Sequence, residues 1–290
     1  MSHKEEDPDD KNDIQTHMCH LNIHKIFRAY GESAPLSWTS EAMMTNMIVL
    51  LCLSALFPVL MGTDVVKSDL LRTKDCSDIY ASGYSTSGVY TITTIDGPVQ
   101  VYCEMKSDGQ NNQGPWTVIL RRMDGEVNFY RPWRSYKWGF GNKEEEHWLG
   151  LEFVHQLTRR YQYKLRVDLE DFDGNKVYAV YKSFSVGSES EGYKLQVSGF
   201  VNGGAGDSLN YHNGMKFSTY DKDQDNHSTI NCAKDYGGGF WYNNCYYTNP
   251  TGYYLWEKES TVVSNGATWY NWKNNLNSLK SITMKIKRVN

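Results

Sequence analysis

Three segments of the chain alternate apolar and polar residues with a period of two, which is the pattern of a strand that buries one face. The alternation is clearest at Tyr163 to Leu169, where every apolar residue is followed by a charged one. It recurs at Tyr193 to Val197 and at Ile282 to Ile286. Asp173 and Gly174, just after the first segment, predict a turn. We therefore predict that these three segments are strands.

A helical period precedes the first of these strands. Leu149, Phe153 and Leu157 are apolar at helical spacing within Trp148 to Arg159, which predicts one short helix on a sheet. From about Gly203 to Asn277 the chain is instead rich in Gly, Asn, Asp and aromatic residues and has little periodicity. Long irregular segments of this kind are usually functional or disordered. The pattern as a whole predicts a mixed fold with a loop-rich C-terminal third.

The N-terminal part of the chain has a different character. Residues 1–43 are polar and aperiodic, and we interpret them as disordered or as an extension that the mature protein lacks. Met47 to Met61 is an uncharged run of fifteen residues. A spanning helix needs about 20 apolar residues, so the run is more typical of a signal peptide than of a membrane anchor. We expect a signal peptide at 44–62, a short segment at 63–74, secretion, and no stable membrane insertion.

Composition and cysteine count narrow the class of protein further. The 290 residues carry a formal net charge of −4, so there is no basic excess for nucleic acid. Aromatic residues make up 14% of the chain, which suits a loop-rich fold with Tyr and Trp as amphipathic fillers. Beyond residue 62 an even number of cysteines remains, which fits two disulfides in an oxidising compartment. Three pairings are open among Cys76, Cys103, Cys232 and Cys245.

An acidic run places carboxylates at alternate positions from Asp221 to Asp225. In a loop, three such carboxylates can turn toward one hard cation, which predicts calcium. An EF-hand is excluded, because Asn226 and Cys232 stand where its loop needs Gly and Glu. The alternative is a solvated loop in which the aspartates only accept turn hydrogen bonds.

The segment between Cys232 and Cys245 is typical of a covalently closed loop, either a ligand rim or a packed core loop. It contains three consecutive glycines and the aromatic residues Tyr236, Phe240, Trp241 and Tyr242. Just before it, Asn226-His227-Ser228 fits the N-glycosylation rule. A glycan on Asn226 would obstruct a site in the acidic loop. The alternative is that the sequon carries no glycan, because a loop wrapped around calcium is a poor acceptor.

These residues resemble the C-terminal part of a fibrinogen-related domain, and further matching motifs extend the likeness from Asp75 onward. Examples are V-Q-V-Y-C-E-M at 99–105, Y-R-P-W-R-S-Y-K-W-G-F-G at 130–141 and H-W-L-G-L-E at 147–152. The resemblance implies an α+β fold at 75–290, a fibrinogen C-terminal-like globular domain with a mixed antiparallel sheet, short helices and a loop-rich C-terminal subdomain that binds calcium and ligand. It also implies the disulfides Cys76–Cys103 and Cys232–Cys245.

The resemblance further implies a Ca²⁺ site and a ligand pocket beside it. By motif position the calcium ligands are the side chains of Asp223 and Asp225 and the carbonyl groups of His227 and of Thr229 or a neighbour. The pocket, which takes acetylated groups in the family, is partly lined by a non-proline cis peptide between Asn244 and Cys245. The remaining pocket positions are Tyr236, Tyr246, Val263 and Ser264. Two of them depart from the family pattern, since related lectins often have His at 246 and Tyr at 263.

The function implied by the resemblance is calcium-dependent recognition outside the cell. The expected partners are acetylated glycans and collagen or elastic-fibre proteins, in matrix organisation or innate immune recognition. Thr63 to Lys74 has neither Gly-X-Y nor heptad repeats, so we expect a homo-oligomer through domain surfaces. No H-E-x-x-H or G-x-S-x-G motif indicates an enzyme, and we interpret Glu144 to Glu146 beside His147 as an exposed charge run. The alternative function is a structural matrix protein with no working sugar pocket.

Overall fold

The alternating segments lie in the middle and at one edge of an antiparallel sheet. A computed structural model describes residues 73–105, 114–256, 265–274 and 278–289, all within the compact unit Asp64–Asn290. The predictions for 1–43, 44–62 and nearly all of 63–74 lie outside the described residues. The strands are β1 (Gly88–Thr94), β2 (Gly97–Glu104), β3 (Trp116–Arg122), β4 (Phe140–Gly141), β5 (His147–Trp148), β6 (Tyr163–Glu170), β7 (Lys176–Val186), β8 (Leu195–Gly203), β9 (Thr248–Asn249), β10 (Thr268–Trp269) and β11 (Ser281–Arg288).

The order of the strands brings the C-terminal strand into the centre of the sheet. Within the described residues nine strands form one sheet, with the path β1-β2-β3-β11-β6-β7-β8, while β5 pairs with β3 and β4 with β5. Strands β9 and β10 form a separate pair. In the central pair, Ile282 lies opposite Leu169 and Met284 opposite Val167. Since side chains alternate faces along a strand, this register places the apolar residues of both strands on the core face.

One predicted strand begins later than its pattern indicates. Tyr193 has φ 50° and precedes β8, so its apolar side chain reaches the core from a turn and not from the strand. The turn predicted at Asp173 and Gly174 is confirmed. Gly174 has φ 83° there, and the N–H of Asp173 donates to the Asp171 side chain, which closes the hairpin between β6 and β7.

The helices are short and lie around the sheet. The predicted helix at 148–159 is confirmed in type but begins at Leu151, because Trp148 pairs in β5 and Gly150 has φ 116°. A Cβ at Gly150 would lie 2.8 Å from the backbone of Trp138, so only glycine fits this approach. The helices are α1 (Cys76–Ala81), α2 (Trp133–Trp138), α3 (Leu151–Thr158), α4 (Cys232–Asp235) and α5 (Tyr270–Lys273), with 3₁₀ turns at Glu189–Glu191 and Leu209–His212.

The loop-rich region shares one core with the sheet. Phe217 and Trp241, both from this region, contact the ring of Trp148 in β5, with ring centroids 5.9 and 6.1 Å away. All three side chains are fully buried. The irregular backbone at 204–256 is therefore held by buried aromatic packing. None of the helices in the described ranges has the length and apolar character needed to span a membrane.

The interpretation of Glu144 to Glu146 as an exposed run is wrong at its end. Glu146 is completely buried, and its carboxylate lies 3.3 Å from the Arg122 guanidinium. The adjacent His147 is buried as well. Burial lowers the pKa of His147 to about 4, so the imidazole is neutral at physiological pH. Both residues therefore belong to the buried interior of the fold and not to an exposed charged surface.

Candidate functional site

The acidic loop is anchored to helix α2 by its first aspartate. Asp221 Oδ1 accepts hydrogen bonds from the backbone N–H of Trp133 at 2.8 Å and from Thr219 Oγ1 at 2.7 Å. The Lys222 ammonium group lies 3.7 Å from the centroid of the Trp133 ring, a cation–π contact. Asp221, which is not in the ligand set that the resemblance implies, thus uses this oxygen to cap the N-terminus of α2.

The other two carboxylates lie together. Asp223 Oδ1 accepts from the N–H of Asp225 at 3.2 Å. Asp225 accepts from His227 N–H with one oxygen and from Cys232 N–H with the other, both at 2.8 Å. Burial raises the pKa of Asp225, and the neighbouring Asp223 carboxylate raises it further. A cation would relieve this repulsion, and the Cys232 contact links the loop to the start of α4.

The donor set fits calcium. Within the described ranges no group of three or more His, Cys, Asp or Glu side chains is arranged to hold a metal, so backbone oxygens must complete any site. The carbonyl oxygens of His227 and Thr229 accept no hydrogen bond from the residues that the structure describes. His227 Nδ1 instead accepts from the N–H of Thr229 and of Ile230 at 3.3 Å, which shapes the turn. Carboxylate and carbonyl oxygens are the hard ligands that Ca²⁺ prefers, so these groups suit this ion by their chemistry.

The sequon asparagine already uses its amide nitrogen. Asn226 Nδ2 donates to Asn243 Oδ1 at 3.1 Å and lies 3.0 Å from Met215 Sδ. Its backbone N–H also donates to the Asn243 carbonyl at 3.1 Å. A glycan would be attached to this same nitrogen, so it would disturb a contact between the acidic loop and the cysteine loop.

The cysteine loop contains the covalent and backbone features that the resemblance implies. Cys232 and Cys245 are bonded at 2.00 Å, Cys76 is bonded to Cys103, and the peptide bond between Asn244 and Cys245 is cis. The structure also shows which of the enclosed aromatic residues belong to the core and which can form the rim of a ligand site. Phe240, Trp241 and Tyr242 are fully buried and belong to the core, whereas Tyr236 remains half-buried.

The glycine run in this loop permits close packing. A Cβ at Gly238 would lie 2.2 Å from the Thr251 carbonyl oxygen, and one at Gly239 would lie 2.6 Å from the Tyr136 ring. Such distances exclude any side chain. The glycines therefore let the cysteine loop lie directly on the residues that follow it and on α2.

The structure brings together four of the six predicted pocket positions. The rings of Tyr236 and Tyr246 meet edge to face, with centroids 4.9 Å apart, beside the cis bond that joins Asn244 and Cys245. Asn244 is exposed, whereas Tyr246 is only 7% exposed. The remaining two predicted positions, Val263 and Ser264, lie outside the described residues.

His212 supports this loop and was not predicted from the sequence. Its Nε2 accepts from the N–H of Tyr247 at 3.1 Å and of Thr248 at 3.2 Å, so Nδ1 carries the proton and donates to the Trp241 carbonyl at 2.8 Å. Burial lowers its pKa to about 4. The neighbouring Tyr211 hydroxyl donates to the Asn244 carbonyl at 2.9 Å. A lone histidine this far from the loop in sequence carries no local signal of such a role.

Arg122 is a second support that the sequence did not reveal. Its guanidinium donates to the carbonyls of Pro250 at 3.0 Å and Gly252 at 2.7 Å, in addition to the ion pair with Glu146. Burial lowers the pKa of Arg122, but Glu146 opposes this effect. The end of β3 thus holds the segment that follows the candidate pocket.

Comparison with known proteins identifies the class to which this fold and site belong. The family described as fibrinogen beta and gamma chains, C-terminal globular domain, matches residues 72–289, and this chain belongs to it. The family resemblance and the α+β fold predicted above are thereby confirmed.

Individual relatives show similarity over most of the chain. Microfibril-associated glycoprotein 4 of Homo sapiens is 48% identical over 227 residues, which cover 76% of this chain and 87% of the relative. Tenascin of Mus musculus is 47% identical over 221 residues, 75% of this chain and 10% of that protein. The fibrinogen-like globe domain of human ANGPTL6 superposes with a TM-score of 0.71 and 39% identity, over 75% of this chain and 96% of that one.

Proposed function

We propose that this protein is a secreted, non-enzymatic recognition protein that binds acetylated glycans in a calcium-dependent manner. The observation that carries the proposal is that Asp223 and Asp225 lie side by side. The carboxylate of Asp225 also accepts a hydrogen bond from the backbone N–H of Cys232. Through this hydrogen bond, calcium binding in the acidic loop would influence the position of the disulfide-closed loop, which contains Tyr236 and Asn244.

The calcium ion would be held by the carboxylates of Asp223 and Asp225 with the carbonyl groups of His227 and Thr229. When bound, it supplies positive charge that neutralises the two carboxylates. Because it binds the folded loop and not the unfolded chain, it stabilises the fold by mass action, about 2.7 kcal/mol when its concentration is 100 times its Kd.

The residues beside this loop suit a small group with one apolar and one polar end. The half-buried ring of Tyr236, packed against the buried ring of Tyr246, offers aromatic surface to a methyl group, while the exposed Asn244 offers polar atoms at the entrance. Small-ligand sites commonly combine an apolar lining with a few such polar groups. An acetyl group has this composition.

Matrix proteins are the second part of the proposed partner set. The name of one relative associates that protein with microfibrils. We extend from this to collagen or elastic-fibre partners for the present chain, with homo-oligomerisation through domain surfaces. Several domains in one assembly would raise a weak single-site affinity by avidity.

The test is binding to immobilised N-acetylated glycans in calcium and in chelator. Wild-type protein should bind in calcium only, and Tyr236→Ala should weaken binding at least about tenfold, a loss of about 1.4 kcal/mol. Tyr84→Ala is the matched control, since Tyr84 is 55% exposed and belongs to none of the predicted sites. Calcium-independent binding, or equal loss in both variants, would contradict the proposal.

A structural matrix role is the second candidate, and the low exposure of Tyr246 favours it. This ring packs against Tyr236 and fills part of the space beside the cis bond. In that case calcium would only stabilise the domain. Calcium would then raise the melting temperature of the wild type but not of Asp223→Ala with Asp225→Ala, and no acetylated glycan would bind to either.

A further inference from the structure

An open groove on the acidic loop contains charges that the proposed function does not use. It has a volume of about 500 Å³ and is lined by Lys194, Lys216, Asp223 and Asp225, with Met215 and Asn226 among the other lining residues. None of the aromatic residues of the candidate pocket lines it. The groove therefore includes the two candidate calcium ligands but none of the described residues of the candidate pocket.

The two lysines of this groove are available to a ligand. Both are exposed, and neither ammonium group forms an ion pair or hydrogen bond with the described part of the chain. The stem of Lys216 runs along Gly192, where a Cβ would lie 2.9 Å from its Cδ. Glu191 interacts electrostatically with Lys194, but its carboxylate accepts two hydrogen bonds from Ser188.

The charges lining the groove cancel unless a cation is added. Two lysines and two aspartates give a formal charge of zero. A divalent cation on Asp223 and Asp225 would change this to a net double positive charge. Bound cations are often the largest local charges in a site, so the groove would attract anions when calcium is present and not when it is absent.

We propose that this groove is a calcium-dependent binding site for the anionic groups of polysaccharides, with Lys194 and Lys216 contacting the anion. Sulfate and carboxylate share the required chemistry, because both accept charge-assisted hydrogen bonds from ammonium groups. The proposal rests on the proposed calcium site but is independent of the acetyl-group pocket. It assigns a ligand class that the acetyl pocket does not cover.

Glycosylation of Asn226 would affect binding in the groove. Asn226 lines the groove, so a glycan on its amide nitrogen would occupy the space that the anion needs. The test therefore uses protein that carries Ser228→Ala, which removes the sequon and leaves the Asn226 contacts intact. Ser228 is exposed.

The experiment measures binding to immobilised dextran sulfate, carboxymethyl dextran and unmodified dextran. Binding to at least one anionic polymer is expected in calcium and not in chelator, and the two polymers distinguish sulfate from carboxylate. Lys194→Gln with Lys216→Gln should weaken binding about tenfold and make its salt dependence shallower, as the loss of two exposed charge contacts requires. Lys176→Gln with Lys182→Gln is the control, since both are exposed lysines of β7 outside the groove.

Three results would overturn the proposal: equal binding with chelator, equal binding by the groove variant and the wild type, or no binding to either anionic polymer. Binding of the N-acetylated glycan, measured in parallel, should be unchanged in the Lys194→Gln and Lys216→Gln variant. If dextran sulfate binds as expected while the acetylated glycan does not, the groove is supported and the acetyl-group function is refuted. The reverse result refutes the groove alone.

Discussion

The two halves of this domain are held together by different forces. The sheet region, 88–203 together with β11, has long strands whose backbone groups pair with one another and whose apolar side chains share one face. The loop region, 204–256, satisfies much of its backbone through side chains. Buried Asn249, for example, donates to the Tyr236 carbonyl at 2.9 Å, and Thr251 donates to the Gly239 carbonyl at 2.9 Å.

This difference predicts how each half responds to substitution. In the sheet, stability is spread over many similar contacts. In the loop region a few polar groups each satisfy several partners, and removing one leaves buried donors or acceptors unpaired. The loop region therefore depends on individual residues, some of which belong to the sheet.

The largest effect is expected at Arg122, which joins the two halves. Arg122→Ala leaves the Glu146 carboxylate buried without its cation and frees the Pro250 and Gly252 carbonyls. We expect a loss of about 3–5 kcal/mol in the free energy of unfolding by urea. Arg121→Ala, next to it, removes a hydrogen bond to the exposed Glu144 carbonyl and a cation–π contact with Tyr102, and should cost only about 1 kcal/mol. If both variants lost the same free energy of unfolding, Arg122 would not be a specific link between the two halves.

Removal of the loop disulfide should weaken one half selectively. The Cys232–Cys245 bond has a sequence separation of 13, and a loop of that length stabilises by about 3 kcal/mol in the chain-entropy model. With both cysteines changed to Ala, hydrogen exchange should accelerate at 226–252 and remain slow in β6 and β11. Uniform acceleration across the sheet would mean that the halves unfold as one unit, against the comparison drawn here.

Acid should affect the halves through one buried histidine in each. Burial lowers the pKa of His147 in β5 and of His212 in the loop region to about 4. Since the unfolded pKa is about 6.5, the unfolded chain binds more protons between these values. Stability is thus fully present above pH 6.5 and is lost as the pH falls toward 4, by about 3 kcal/mol for each histidine.

Two variants of His212 separate its donor from its acceptor role. His212→Gln places an oxygen where Nε2 accepts from Tyr247 and Thr248, whereas His212→Asn keeps only a donor toward Trp241. We expect urea unfolding to show a shallower pH dependence in both variants, with glycan binding retained better in the Gln variant. An unchanged pH profile in both would exclude His212 as the titrating group.

The smallest effect is expected at Asp221, which the structure places as a helix cap. Asp221→Ala removes the bond to Trp133 N–H and should cost about 1 kcal/mol. Its melting temperature should still rise with calcium, in contrast to Asp223→Ala with Asp225→Ala. Loss of the calcium response in Asp221→Ala would instead mean that Asp221 is a calcium ligand.

Much of the fold could be predicted from the sequence, but the residues at which strands and helices begin could be predicted less well. The alternation of apolar and polar residues located β6 and β11, because a strand that buries one face has an apolar residue at every second position. The start of α3 was misplaced, since Trp148 is drawn into β5 by pairing with β3, a contact between residues far apart in the chain. The acidic loop was likewise indicated by a short motif, whereas the two cysteine pairs followed only from the family resemblance, since the residues alone left three pairings open.

By itself, then, the sequence determined the family, the strand pattern, the even cysteine count and the presence of an acidic loop. Only the tertiary structure decided that Asp221 caps a helix, that Trp241 is core, that Glu146 is buried against Arg122, and that two distant lysines share a groove with Asp223 and Asp225. The physical reason is that burial, electrostatic pairing and hydrogen bonding of these groups depend on which remote segments meet. A carboxylate, an indole or an ammonium group has the same local sequence signal whatever it finally contacts.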